Sequence, residues 1–234
     1  MVQTLHTKLK FLLLWSVLLI SFGFISGYLL LSVSGYRIDW KWLRIEKTGI
    51  VTIKSQPKVV SVIVDASLRA TSTPVALRNL LPGVYDISIN KPLYQGWNKT
   101  IQVDPGRVTE LNDIVLVRVN PVVEKVSQND KQLLDDFVQT ATVRFVGNEI
   151  YIHSKTPQLV TRLSRDVSQA VLYPDEKHIV YQIGNEINII DLIGQNEQSI
   201  TRLPTDKQSQ IIIVDNGRSI LIKQESTYLR LTIG

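Results

Sequence analysis

Side chains suited to acid–base or metal chemistry are few in this sequence, and they are scattered. It has three histidines, His6, His153 and His178, and no cysteine, which removes disulfides and thiolate metal sites from consideration. His178 shares its strand parity with Gln182, so it reads as a solvated strand histidine; His153, at a strand end, reads the same way. The adjacent Asp135-Asp136 pair would point to opposite faces of a strand, a poor geometry for an acid–base couple. Asp175 and Asp215 occupy matching turns, where an aspartate caps its own backbone. Asn98-Lys99-Thr100 spells a glycosylation acceptor, which matters only where the machinery exists. A phosphate-cradling loop, a Gly-x-Ser-x-Gly elbow, a His-Glu-x-x-His pair and an EF-hand spacing are all missing. No catalytic, cofactor-binding or metal-binding residue is therefore assigned, and the expectation is a protein that is not an enzyme and holds no cofactor.

The elements that would carry any function begin with an apolar run. Residues 1–10 form a basic leader, and Phe11–Val33 then continues for 23 residues without a charge. As a helix rising ~1.5 Å per residue it covers about 34 Å, enough to cross a hydrocarbon core of about 30 Å. Tyr28, Tyr36, Trp40 and Trp42 gather at one end, where amphipathic rings suit the headgroup layer. A cleaved signal peptide is the rival reading, although the run exceeds the ~7–15 residues of a signal core. Gly23 and Gly27 form a GxxxG pair of the kind that lets membrane helices approach. Lys8 and Lys10 precede the run, while Arg37, Lys41, Arg44 and Lys47 follow it in a juxtamembrane segment, residues 34–47. That count leans toward a cytoplasmic C-terminus, but long domains translocate largely regardless of charge. The formal net charge is +5 and the isoelectric point about 9.3. Because the other basic residues are dispersed, with no stripe of stacking aromatics, nucleic acid is not an expected partner.

From Thr48 onward the sequence is written in short β-branched runs broken by Pro, Gly, Asn and Asp. In Leu80 to Trp97 (LLPGVYDISINKPLYQGW), Tyr85, Ile87 and Ile89 share one parity and Asp86, Ser88 and Asn90 the other. One buried face and one wet face follow. Trp97, Ile101 and Val103 repeat the pattern, with Lys99 discordant. Residues 49–118 resemble a PEGA domain, carried by Ser55-Gln56-Pro57, the Val-Ile-Val-Asp strand ending at Asp65, Thr73-Pro74, Leu80 to Tyr85, Lys91-Pro92-Leu93-Tyr94, Trp97 and Asp104-Pro105-Gly106. The resemblance implies a transthyretin-like or immunoglobulin-like β-sandwich over 48–119, with Tyr94 and Trp97 closing its edge, and a place in the bacterial envelope or at the surface. Where the family usually has an Asp-Gly turn this chain has Asp65-Ala66, which predicts a looser or longer hairpin, since alanine does not adopt a positive φ cheaply.

Residues 120–139 read as a polar linker, after which the chain repeats itself. Gly147-Asn148-Glu149-Ile150 returns as Gly184-Asn185-Glu186-Ile187, and Thr161-Arg162-Leu163 as Thr201-Arg202-Leu203. Tyr173-Pro174-Asp175 is echoed near Val214-Asp215-Asn216-Gly217. The spacing, about 37 to 41 residues, predicts about two incomplete β-propeller-type units over 140–234. Strands such as Gln210–Val214 would be sticky if left bare, which raises the prospect of self-association. The fold class is thus mostly β: a transmembrane helix, a PEGA-like sandwich, then partial propeller-like repeats. Three functions are compatible with it. The first is a single-pass, membrane-anchored, extracytoplasmic binding or scaffold protein, its partners the bilayer and an envelope protein, peptide or glycan. The second is a fragment of a larger propeller-containing protein or enzyme. The third is a cytoplasmic protein whose juxtamembrane charges hold anionic lipid.

Overall fold

The computed structural model describes residues 2–40, 43–138, 142–153 and 156–234, with side chains from Phe11 onward. Lys41, Trp42 and the Thr140 boundary lie outside the described residues. Two compact units emerge: Met1–Ile53, Val75–Asp86 and Thr100–Leu111 form one; Lys54–Pro74, Ile87–Lys99 and Asn112–Gly234 form the other.

In the first unit, helix α1 (Val2–Val33) contains the apolar run, whose mean hydropathy is 2.0 and none of which is buried. It is long and apolar enough to cross a membrane. Ser16 and Ser21 each turn their hydroxyl onto a carbonyl three residues back, at 2.8 and 2.9 Å, which satisfies those polar groups within the helix. Gly35 ends the helix at φ +77°. Strands β1 (Tyr36–Asp39) and β2 (Arg44–Lys47) then pair as an antiparallel hairpin. The Gly35 carbonyl accepts from both the backbone N–H and the hydroxyl of Thr48, each at 2.8 Å. Arg37 donates to the Asn79 carbonyl at 2.9 Å. The segment 34–47 is thereby tied to the first β domain at both of its ends.

That domain is built from β3 (Gly49–Gln56), β4 (Ser61–Val64), β5 (Ser67–Ala70), β6 (Val75–Leu80), β7 (Gly83–Asn90), β8 (Trp97–Val103) and β9 (Val108–Val115). They form a three-stranded sheet in the order β6-β3-β9 and a four-stranded sheet in the order β5-β4-β7-β8. The predicted alternation holds: Val51, Ile53, Ile87, Ile89, Trp97, Ile101 and Val103 are all buried, each worth about 1.5–3 kcal/mol. Tyr85 is half-buried and donates its hydroxyl to the Leu81 carbonyl at 2.8 Å. The Asp65-Ala66 turn corrects the expectation of a looser or longer hairpin. Val64 pairs directly with Ser67, and Asp65 and Ala66 both adopt positive φ, +46° and +62°, so the loop has two residues and alanine bears the strain.

The second unit continues with β10 (Val122–Glu124) and α2 (Gln128–Asp135), both in the stretch read as a linker. Ser127 caps α2 reciprocally with Asp130: the Asp130 N–H donates to the Ser127 hydroxyl, and the Ser127 N–H to the Asp130 carboxylate. Three open sheets follow. The first holds β11 (Val143–Val146), β12 (Glu149–Ile152) and β13 (Gln158–Arg162). The second holds β14 (Val167–Leu172), β15 (His178–Ile183), β16 (Glu186–Asp191) and β17 (Gln198–Arg202). The third holds β18 (Gln210–Val214), β19 (Ser219–Gln224) and β20 (Thr227–Thr232), with β10 added beside β20. No sheet closes on itself among the described residues. The repeat signatures are matching two-residue turns at Gly147-Asn148 and Gly184-Asn185, each followed by a bulge. In each, the Asn carbonyl accepts from Leu163 or Leu203, at 2.8 and 2.7 Å.

The strands expected to be sticky are covered. Ile211, Ile220 and Ile222 are buried in a core that also takes in Tyr173, Ile187, Ile200, Leu231 and, from the end of the first β domain, Val115 and Val117; Leu221 is buried as well. A second core joins Val143, Ile150, Val167, Ile179 and Tyr181.

Candidate functional site

The residues singled out in the sequence do not converge. His6 lies in α1; His153 is exposed just after β12. The reading of His178 as solvated is corrected: both faces of β15 are buried, so strand parity does not separate wet from dry there. His178 is 5% exposed, its Nδ1 2.7 Å from the Asp175 carboxylate, and its ring meets that of Tyr173 edge-on. Asp175 also accepts from the N–H groups of Lys177 and His178 at 2.8 and 3.1 Å. Burial pushes this carboxyl up, but the bonds and charge of His178 and the backbone donors outweigh it and hold it below the usual value. Burial raises the Tyr173 hydroxyl, which donates to the Gly217 carbonyl at 2.8 Å. These groups fix the turns of two neighbouring sheets.

Asp135 and Asp136 are the last residue and the cap of α2, and do not sit on a strand. Asp135 accepts from Lys223 at 2.6 Å and from the Tyr228 hydroxyl at 2.9 Å. Asp215 meets Arg230 instead of its own backbone. That guanidinium reaches Glu124 at 3.2 Å, Asp130 at 2.8 Å and Asp215 at 2.6 Å, clasping β10, α2 and the β18–β19 turn onto β20. Asp130 is pushed up by burial, but Ser127 and Arg230 prevail and hold it below the ordinary carboxylate range. In the first unit Thr100 of the Asn-Lys-Thr triplet donates to Asp86 at 2.6 Å. Among the described residues no group of three or more histidine and acidic side chains is placed to hold a metal ion.

A different cluster, which the sequence reading did not pick out, does make a cavity. Strands β14 and β18 are edge strands of their sheets and lie against one another. Between them and the 204–209 loop lies an open cavity of about 460 Å³, lined by Phe137, Gln169, Gln208, Gln210, Lys223 and Glu225, with Ser209 in its wall. Its loop is held by buried amides. Gln182 donates to the Lys207 carbonyl and accepts from the Ser209 N–H, both at 2.8 Å. Gln224 donates to the carbonyls of Thr205 and Lys207, at 3.2 and 2.6 Å. The Oε1 atoms of Gln169 and Gln210 are buried without a hydrogen-bond partner among the described residues. Only the recurrence of glutamine near the strand starts could have flagged them, and glutamine at a strand start ordinarily faces water.

Comparison with known proteins places a domain within this frame. Residues 48–120 match the PEGA domain, so β3 to β9 form a PEGA domain that follows an apolar helix and precedes a second set of sheets. The chain is also 22% identical over 111 residues to the transcription termination factor FttA of Methanothermobacter thermautotrophicus, a match covering 44% of this chain and 18% of that protein. The chain thus spans less than a fifth of that relative's length.

Proposed function

We propose that the protein is a membrane-anchored, non-enzymatic binding or scaffold protein of the cell envelope, with α1 retained as a single span and both sets of sheets on the extracytoplasmic side. The observation that carries the reading is the continuity of Phe11–Val33 with the PEGA domain. An apolar helix with no buried face passes, through a hairpin bound at Gly35, Arg37 and Thr48, into the first strand of that domain. A body held this close to the bilayer suits display or spacing. The ion pairs and buried histidine serve turns and sheet junctions, which supports a role without catalysis. The three successive sheets, the last completed by β10, support reading the C-terminal region as blade-like units that present a surface. The extracytoplasmic side follows from the PEGA resemblance against the count of juxtamembrane charges. Protease added to intact spheroplasts carrying a C-terminal tag tests it: loss of the tag is the expected result, and full protection reverses the orientation.

A further inference from the structure

We propose that the cavity between β14 and β18 is a binding site for a neutral saccharide. The inference deepens the binding reading above and rests on it, but does not depend on which side of the membrane the site faces. Three observations point to this class. First, Gln169 is 2% exposed, and its Oε1, like that of Gln210, is buried without a partner among the described residues. A buried acceptor left bare carries a desolvation penalty, and the natural remedy is a donor brought by a ligand. Second, the charges at the cavity are already matched. Lys223 is held by Asp135 and Glu225 by Lys207, so an anionic or cationic ligand would have to displace an existing pair. Third, the cavity volume of about 460 Å³ lies in the range of small-ligand sites, about 300–1,000 Å³, but its wall is mainly polar where such sites are usually apolar.

A sugar satisfies all three conditions. Each hydroxyl both donates and accepts, so adjacent hydroxyls can bond the oxygen and nitrogen of one glutamine amide. The C–H face of the ring has a partner in Phe137, an apolar side chain at the otherwise polar wall. Gln182 and Gln224 hold the loop beforehand, so little ordering is left to be done on binding.

The test uses the full chain in a zwitterionic detergent without a sugar headgroup, titrated by calorimetry with cellobiose and N,N′-diacetylchitobiose, and with inorganic phosphate as the charged comparison. Binding of at least one disaccharide and none of phosphate is expected. Gln169→Leu, which removes the orphan acceptor, should weaken binding about ten- to a hundredfold without lowering the melting temperature. Gln210→Leu, on an edge strand, should do the same and serves if the first variant fails to fold. Disaccharide binding unchanged in both variants would place the sugar elsewhere and overturn the assignment. Binding of neither disaccharide would overturn it too, as would phosphate binding in preference, although that last result would leave a binding protein standing.

Discussion

The side-chain amide of Gln198 replaces a strand partner for Val117. Its Oε1 accepts the Val117 N–H at 3.1 Å while its Nε2 donates to the Val115 carbonyl at 2.7 Å. The neighbouring peptide groups are engaged as well: Leu116 donates to Gln56, Arg118 to Ile233, and Val119 to Leu93, while the Val117 carbonyl accepts from Gln95. Residues 116–119, near the end of the PEGA match, therefore have their backbone donors satisfied, while Val115 and Val117 enter the core of the last two sheets. Gln198→Leu strands one backbone donor and one acceptor, and should destabilise the protein by about 1–3 kcal/mol. Hydrogen exchange should show faster exchange at Val117 in particular; unchanged protection there would remove Gln198 from this role.

At the β4–β5 turn, Ala66 holds a left-handed conformation that costs an L-residue about 1–2 kcal/mol. Glycine adopts it freely but loses about 0.5–1 kcal/mol of additional chain entropy on folding. Ala66→Gly should therefore stabilise the protein by about 0.5–1 kcal/mol, measured by denaturant unfolding. A loss of stability would mean that the turn is not the tight two-residue form.

Gly217 sits at φ +89°, and a Cβ there would lie 2.1 Å from the Tyr173 hydroxyl oxygen. Because that hydroxyl also bonds the Gly217 carbonyl, the ring cannot withdraw without leaving a buried polar group bare. Gly217→Ala should cost about 2–3 kcal/mol, read as a lower melting temperature. Combining it with Tyr173→Phe should recover little, since the ring atoms remain in the way; full recovery would contradict the steric account.

Asp130 supplies a pH dependence whose sign is fixed by its surroundings. Its folded pKa lies below the unfolded value, so the stabilisation is complete above the unfolded carboxylate pKa of about 3.9 and is lost as pH falls through the folded one. Arg230 then loses one of its three acceptors and α2 its cap. Melting temperature should decline on acidification below about pH 4, less steeply in Asp130→Asn. Equal slopes in both proteins would show that the clasp does not depend on this charge.

These details mark where the sequence was readable. Alternation was legible in β3, β7 and β8 because each has one drier and one wetter face, as Ile87 and Ile89 against Asn90 show. The turns Gly147-Asn148 and Gly184-Asn185 announced two hairpins. The third, at Glu225-Ser226, uses a non-glycine residue at φ +53°, so that hairpin carried no glycine signal, and only the echo at Val214-Asp215-Asn216-Gly217 marked its sheet. Helix α2 was hidden because its stabilising contacts are remote: Leu134 is buried, and Arg230, far along the chain, bonds the capping residue Asp130. His178 misled because a local partner, Asp175, lets a polar side chain occupy a dry strand. The glutamine cavity was illegible for a related reason, as Gln169 and Gln210 come together only when two sheet edges lie against one another.

The retained anchor is the claim on which the account turns, and one measurement reaches it directly. Membranes from expressing cells are washed with alkaline carbonate, and the intact mass of the protein is determined in both fractions. The account predicts full-length protein in the pellet, with Phe11–Val33 present and release only by detergent. A soluble product beginning near Gly35 would contradict it, and would make the apolar helix a cleaved signal.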